Sequence, residues 1–168
     1  MRQRIVISGR GGQGVLTLTQ VLAEAAAAAG HEVITSETHG MAQRGAAVMS
    51  TVKVGPFHGP LISPGEAEVG LFLDAANIPI HGHYLKNGGT VFVNGKGMTE
   101  HASLDAAALA SSCGSPRSAN LALLGYATGK GGLFADPACF EEAIRSVTSA
   151  RHLDGNLKAF WAGVQASQ

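Results

Sequence analysis

Cysteine is scarce in this sequence. Only Cys113 and Cys139 occur in 168 residues, they lie far apart, and neither belongs to a CxxC motif. This excludes a disulfide framework and a four-cysteine iron–sulfur site built from this chain alone. Any iron–sulfur cluster that works with this protein must therefore be held by a partner chain.

Charge of either sign is also scarce. Charged residues make up 14% of the chain, and 12 lysines and arginines balance 12 aspartates and glutamates without forming a basic run. The electrostatic footprint of a nucleic-acid-binding protein is missing, so neither DNA nor RNA is expected as a partner. A surface poor in charge favours contact with other protein, because charged residues are depleted in the cores of interfaces.

Long hydrophobic runs are absent as well. Met1-Arg2-Gln3-Arg4 leads into only a short apolar stretch, and no run approaches the roughly 20 residues that span a bilayer. We therefore expect no signal peptide, no membrane contact and a cytoplasmic location. The length and the 45% hydrophobic content predict one domain over residues 1–168 that buries its own core.

Strand and helix patterns alternate through the first hundred residues, and helical patterns follow. Short runs rich in β-branched residues predict strands at 4–8, 31–36, 47–54, 69–74 and 90–94. Helices are predicted at 14–29, 103–112, 118–128, 137–149 and 154–165. The order indicates an α/β fold, a Rossmann-like three-layer α/β/α sandwich with a mainly parallel sheet of about five strands. Lys53 suggests that the third strand lies at an edge or is half-exposed.

A glycine-rich motif follows the first predicted strand and opens the first predicted helix. It consists of Gly9, Arg10, Gly11, Gly12, Gln13 and Gly14. Backbone amides in such a loop, together with the positive end of the helix, can hold a phosphate. Glu37 follows the second strand, where a dinucleotide-binding domain places the acid that bonds the ribose. The alternative is that the glycines only let the helix pack closely on the strand.

A second cluster of polar residues and glycine spans 36–45 and leaves the sheet at the same edge. Its candidate binding residues are Glu37, His39, Gly40, Gln43, Arg44 and Gly45. His39 can exchange protons and Arg44 can bind a phosphate or carboxylate. A loop held by its own hydrogen bonds, or docked on a partner, explains the same residues equally well. No catalytic order of Ser, His and Asp can be defended.

Two further features carry less information. His81-Gly82-His83 has no third ligand nearby, so surface histidines on a turn are expected and a metal site is not. Asn120 opens a predicted helix, where it either presents its amide to a ligand or caps the helix.

Three motifs in order resemble the gamma domain of 2-oxoacid:ferredoxin oxidoreductases. They are Gly9 to Leu16, the Glu-x-His-Gly-Met-x-Gln-Arg-Gly segment that ends at Gly45, and Leu85 to Val91. The sequence around His39 and Gln43 is most similar to that of the beta subunit of indolepyruvate oxidoreductase and its aryl relatives, such as phenylglyoxylate dehydrogenase. Asn120 with Gly125 is similar to a later signature of the family. The resemblance covers nearly the whole chain.

The resemblance implies a complex rather than a free-standing enzyme. Larger partner chains would bind thiamine diphosphate with magnesium and 4Fe–4S clusters, decarboxylate a 2-oxoacid oxidatively and pass the acyl unit to coenzyme A (CoA). Ferredoxin, or NAD through a flavin-bearing subunit, would take the electrons. This chain would be a non-catalytic small subunit that contributes CoA binding and subunit assembly, with an aryl 2-oxoacid as the expected substrate.

Two rival interpretations remain at the level of sequence. An independent NAD-binding dehydrogenase would use the glycine motif and Glu37. A purely structural assembly subunit would share the fold and the partners, but its glycine-rich loop would hold no ligand.

Overall fold

The computed structural model describes residues 1–37 and 45–168. In this part of the chain six strands form one sheet in the order β2-β3-β1-β4-β5-β6. The strands are β1 (Gln3–Arg10), β2 (Val33–Glu37), β3 (Ala47–Val54), β4 (Ala67–Phe72), β5 (Leu85–Asn94) and β6 (Ala102–Leu104). The helices are α1 (Val15–Ala28), α2 (Ile78–His81), α3 (Ala106–Ser112), α4 (Ala119–Gly129), α5 (Pro137–Val147) and α6 (Ala150–Ala166). No helix of the described part is long and apolar enough to cross a membrane.

The α/β fold with a mainly parallel sheet is confirmed. Strands β1, β4, β5 and β6 run parallel, and helices flank the sheet. The described sheet has six strands where about five were predicted, because Ala102–Leu104, expected at the start of a helix, pairs with β5. One strand departs from the parallel pattern: β3 lies antiparallel between β1 and β2.

The position of β3 overturns the prediction made from Lys53. The strand is interior to the sheet, and Lys53 is only 8% exposed. Its Nζ donates a hydrogen bond to the Leu61 carbonyl at 2.6 Å and lies 4.8 Å from the centre of the Phe57 ring. The Leu61 carbonyl and the Phe57 ring therefore contact the Lys53 ammonium group, which would be hydrated on an exposed strand.

The two faces of the sheet are covered unequally. Helices α1 and α3–α6 pack on one face and enclose the main core, with Ile7, Leu71, Phe92 and Phe160 among the fully or almost fully buried side chains. The other face carries a small cluster of Val6, Ile62 and Ala67, flanked by Met49, Tyr84 and Leu85. The face opposite the long helices thus has a much thinner cover.

Two helix ends show capping that their local sequence explains. Gly30, at φ +83°, ends α1, and the His31 and Gly30 amides donate to the Ala26 and Ala27 carbonyls in a Schellman arrangement. Helix α5 begins at Asp136-Pro137, and the Asp136 carboxylate accepts from the Cys139 amide.

Two expected boundaries were wrong. Helix α6 begins at Ala150, one turn before the predicted start at Asp154. Strand β5 begins at Leu85 and not at residue 90, and its segment 87–89 is an irregularity, because the register with β4 shifts between Ala67 and Val69. Gly88, at φ +80°, accommodates that shift.

Candidate functional site

The glycine-rich loop connects β1 to α1 at the carboxyl end of the parallel strands. Gly9 still belongs to β1, and the Gly11 amide donates to the Ala46 carbonyl, which extends the pairing with the β3 side by one step. The Gln13 amide then closes a turn on the Arg10 carbonyl at 3.0 Å. Gly12 and Gly14 have φ of +94° and +88°, values that glycine adopts without strain.

Side chains of the loop hold the loop itself. The side-chain oxygen Oε1 of Gln13 accepts from the Arg10 backbone amide at 2.6 Å, and the side-chain nitrogen Nε2 of Gln13 donates to the Leu73 carbonyl. The Arg10 guanidinium forms an ion pair with Asp74, which follows β4. Gln13 and Arg10 therefore stabilise the turn, and the positive charge of Arg10 is neutralised within this chain.

Asn120 meets the loop from the other half of the sequence. Its amide nitrogen donates to the Gly14 carbonyl at 3.3 Å, and its oxygen accepts from the Leu121 amide. A Cβ at Gly14 would overlap the Asn120 amide, so the glycine permits this close approach. Asn120 is only 4% exposed and joins the starts of α1 and α4, a role that neither sequence interpretation had predicted.

The end of the second predicted loop lies beside the first. The Gly45 amide is 3.5 Å from the Gly11 carbonyl, so the two loops are adjacent at this edge of the sheet. His39, Gly40, Gln43 and Arg44 lie outside the described residues.

Glu37 does not occupy the position that a dinucleotide site requires. It ends β2, and β3 separates β2 from β1. Two strand spacings amount to about 10 Å. In a dinucleotide-binding domain the acid that bonds the ribose follows the strand after the glycine-rich helix and reaches the same ligand. The inserted antiparallel strand moves Glu37 sideways, so the geometry does not support the NAD interpretation.

A cleft of about 520 Å³ opens where the loop meets the second half of the chain. The first turns of α1, α4 and α6 converge on it, and its volume lies in the range of small-molecule sites. The predicted residues that line it are Gly12, Gln13, Gly14 and Asn120. Lining residues that sequence reasoning missed include Thr17, Gln20, Ser115, Arg117, His152 and Asn156.

The electrostatics of this cleft favour an anion. No side chain caps the first turn of α1 by a hydrogen bond, so its first amides remain available as donors. In α4 and α6 the Leu121 and His152 amides already donate, to the Asn120 side-chain oxygen and to the Ser149 carbonyl. Arg117 and His152 also line the cleft. Among the described residues, none in the lining is acidic.

Hydrogen bonds between hydroxyl and amide side chains connect two of the helix starts. Ser115 and Ser118 share a hydrogen bond at 2.6 Å, and the Ser118 hydroxyl donates to the Asn156 oxygen at 2.6 Å. The Asn156 amide reaches the Thr148 hydroxyl at 3.5 Å. This chain of contacts binds the segment before α4 to the first turns of α6. The predicted helix start at Asp154 left His152 outside the helix, so its place in the first turn of α6 beside the cleft was not predicted.

The described residues do not fit a metal centre or an iron–sulfur cluster. Among them, no three His, Cys, Asp or Glu side chains converge. The Cys139 thiol donates to the Ala25 carbonyl, and burial raises its pKa, with Asp136 adding to the shift. Cys113 lies near the Lys158 carbonyl at 4.0 Å.

His81 was expected on an exposed turn, but it ends α2 and is partly buried. Its Nδ1 lies 2.7 Å from the Ser8 hydroxyl of β1. Burial lowers the pKa of His81 below its ordinary value, and the nearby His83 adds to this shift. His83 instead stacks on Tyr84, with ring centres 4.3 Å apart.

Comparison with known sequences covers nearly the whole chain. The family model described as pyruvate ferredoxin/flavodoxin oxidoreductase matches residues 4–166. The indolepyruvate oxidoreductase subunit IorB of Archaeoglobus fulgidus is 33% identical over 97% of this chain and 94% of its own length. The same subunit of Pyrococcus horikoshii is 32% identical over 98% and 95%.

Comparison with solved structures agrees with the family match. The gamma subunit of a keto/oxoacid ferredoxin oxidoreductase from Geobacter sulfurreducens has a TM-score of 0.81 at 26% identity, covering 99% of this chain and 97% of that one. A 2-oxoglutarate:ferredoxin oxidoreductase from Magnetococcus marinus, with CoA and succinyl-CoA bound, shares the fold at a TM-score of 0.78 and 19% identity. The match covers 99% of this chain and 31% of that one. This chain therefore belongs to the pyruvate ferredoxin/flavodoxin oxidoreductase family, in which it is similar along its whole length to small gamma-type and IorB subunits.

Proposed function

We propose that this chain is the small subunit of an indolepyruvate-type 2-oxoacid oxidoreductase complex. Similarity to IorB subunits over nearly the full length of both chains is the observation that carries the proposal. The larger subunits bind thiamine diphosphate and the clusters, for which the described part of this chain offers no ligands. The expected substrates to test first are indolepyruvate, phenylpyruvate and phenylglyoxylate, with ferredoxin or a flavin/NAD subunit as the acceptor, in the cytoplasm.

The contribution of this chain to catalysis is CoA binding. CoA carries a diphosphate and a further phosphate, and the cleft beside the glycine-rich loop offers the uncapped first amides of α1 together with Arg117 and His152. The bound CoA of the Magnetococcus marinus enzyme supports this assignment for a protein of the same fold. His39, Gln43 and Arg44 lie outside the described residues and remain candidates on the sequence alone.

Purification through a tag on this chain tests its membership of a complex. We expect larger subunits to co-elute with iron and thiamine, measured by native mass spectrometry and cofactor assays. A chain that elutes alone, without iron or thiamine, contradicts the proposal.

Removal of one cleft charge tests CoA binding against a purely structural role. Arg117→Gln should raise the Kd or KM for CoA about five- to tenfold, because it removes a charge-assisted contact. Arg151→Gln is the matched control: it removes the same charge on a residue that is exposed and does not line the cleft. Equal CoA affinity in the two variants would favour the purely structural subunit.

A further inference from the structure

A polar network fixes the carboxyl end of β1 from the thinly covered face of the sheet. Asn77 is 3% exposed, and its amide donates to the Gly9 carbonyl at 2.7 Å and to the Ser8 hydroxyl at 3.1 Å. The Ser8 hydroxyl in turn meets Nδ1 of His81 at 2.7 Å. Gly9 is the first residue of the glycine-rich motif, so these contacts reach the loop from the side opposite α1.

The direction of each hydrogen bond follows from the donors available. Of the two side chains that contact the Ser8 hydroxyl, Asn77 presents an amide donor, so Nδ1 of His81 is the group that can accept the Ser8 proton. His81 must then be neutral, with its own proton on Nε2. Ser8 is fully buried, and in the described part of the chain its hydroxyl contacts no other side chain that could accept the proton.

We propose that Ser8, Asn77 and His81 form a positioning network that sets the geometry of the glycine-rich loop, with neutral His81 as the obligatory hydrogen-bond acceptor. A proton on Nδ1 would face the Ser8 oxygen and leave the buried Ser8 hydroxyl without this acceptor for its proton, which is costly. The Asn77 and Gly9 contacts would then have to rearrange. His81 is a positioning residue, since it acts on the loop through Ser8 and Asn77.

The charges around His81 are compatible with this role. From β1 it faces the uncharged Ser8 hydroxyl, and from its own segment His83, whose charge opposes protonation of His81. The charged side chain of the loop, Arg10, is paired with Asp74. Burial and His83 both hold the pKa of His81 below 6.5, so the neutral form prevails near pH 7.

Nuclear magnetic resonance of the full chain tests the coupling without any ligand. Long-range spectra of the imidazole should show an unprotonated Nδ1 in His81, and the amide signals of Gly9, Gly11 and Gly12 should shift with the midpoint of His81 on acidification. In His81→Asn, which keeps an acceptor near the Nδ1 position, the glycine shifts at that midpoint should vanish. Ser8→Ala should also remove them, whereas the exposed control His58→Asn should retain them.

Two results would overturn the network: glycine signals that do not change as His81 titrates, or signals that titrate unchanged in His81→Asn and Ser8→Ala.

The effect of the network on the affinity for CoA rests on the proposed function. In the complete complex, the KM for CoA should rise about fivefold as pH falls through the His81 midpoint, with kcat unchanged by this step, and should stay flat in His81→Asn. If Arg117→Gln has no effect on CoA while the glycine signals follow His81, the proposed CoA role of this chain fails and the network stands.

Discussion

At the scale of single residues, the glycine-rich loop is held by side chains from distant parts of the sequence. Asn120, 106 residues from Gly14, binds the Gly14 carbonyl, and Asn77, 68 residues from Gly9, binds the Gly9 carbonyl. The backbone of the loop is thus restrained from both faces of the sheet. Restraint of this kind lets a loop present its amides to a ligand with little loss of entropy on binding.

A second contact at the scale of single residues joins Arg4 of β1 to Glu68 of β4. The Arg4 side chain and backbone amide both donate to the Glu68 carboxylate, the latter at 2.6 Å. Burial by itself raises the pKa of Glu68, but the hydrogen bonds from Arg4 outweigh it, so that the pKa lies below 4.5. The carboxylate therefore stabilises the fold above about pH 4.5, and this contribution is lost as pH falls through the lowered pKa.

Glu68→Gln tests that contribution. At pH 7 the free energy of unfolding should fall by about 1–2 kcal/mol, because a charge-assisted hydrogen bond becomes a neutral one. The difference from the parent chain should shrink as pH falls below 4.5, measured by urea unfolding across pH. Glu100→Gln, on an exposed residue, is the control. A pH-independent difference would mean that shape, not charge, explains the effect.

At the scale of elements, α4 and α6 approach each other closely. Gly125 and Gly163 lie where these helices touch, and a Cβ at either would overlap the main chain of the other helix, at Phe160 and Ala122 respectively. This close approach brings the first turns of α4 and α6 together at the cleft. Close packing against the main chain of α6 therefore explains why residue 125 is a glycine.

Gly125→Ala should separate the two helices. We expect a loss of about 3 kcal/mol in the free energy of unfolding, from overpacking against backbone that cannot move aside. Thermal or urea unfolding of the chain measures it. Gly59→Ala is the control, because a Cβ at Gly59 meets nothing within 4 Å and its φ is not in the left-handed region. A Gly125→Ala variant as stable as Gly59→Ala would show that the helices can adjust freely.

At the scale of the whole molecule, the chain has a heavily covered face and a thinly covered face. The main core lies under α1 and α3–α6, whereas Val6, Ile62 and Ala67 form the small cluster opposite. The co-elution of larger subunits with iron and thiamine is the prediction that belongs to this scale. A positive result supplies the complex in which aryl 2-oxoacids and electron acceptors can be compared.

Local pattern and composition determined much of this protein. The strand, glycine turn and helix that open the chain were predicted closely, as was the start of α5 at Asp136-Pro137, because each depends on residues adjacent in sequence. The scarcity of cysteine excluded a cluster without any knowledge of the fold. The ordered motifs identified the family that the full-length matches then confirmed.

Only the tertiary structure decided where those elements meet. The insertion of β3 between β1 and β2 buried Lys53 and moved Glu37 away from the glycine-rich loop. The convergence of α1, α4 and α6 created the cleft, and the packing of α2 on β1 brought His81 to Ser8. These arrangements depend on contacts between residues tens of positions apart, whose free energy comes from burial and hydrogen bonding in the assembled fold, and no local pattern reports them.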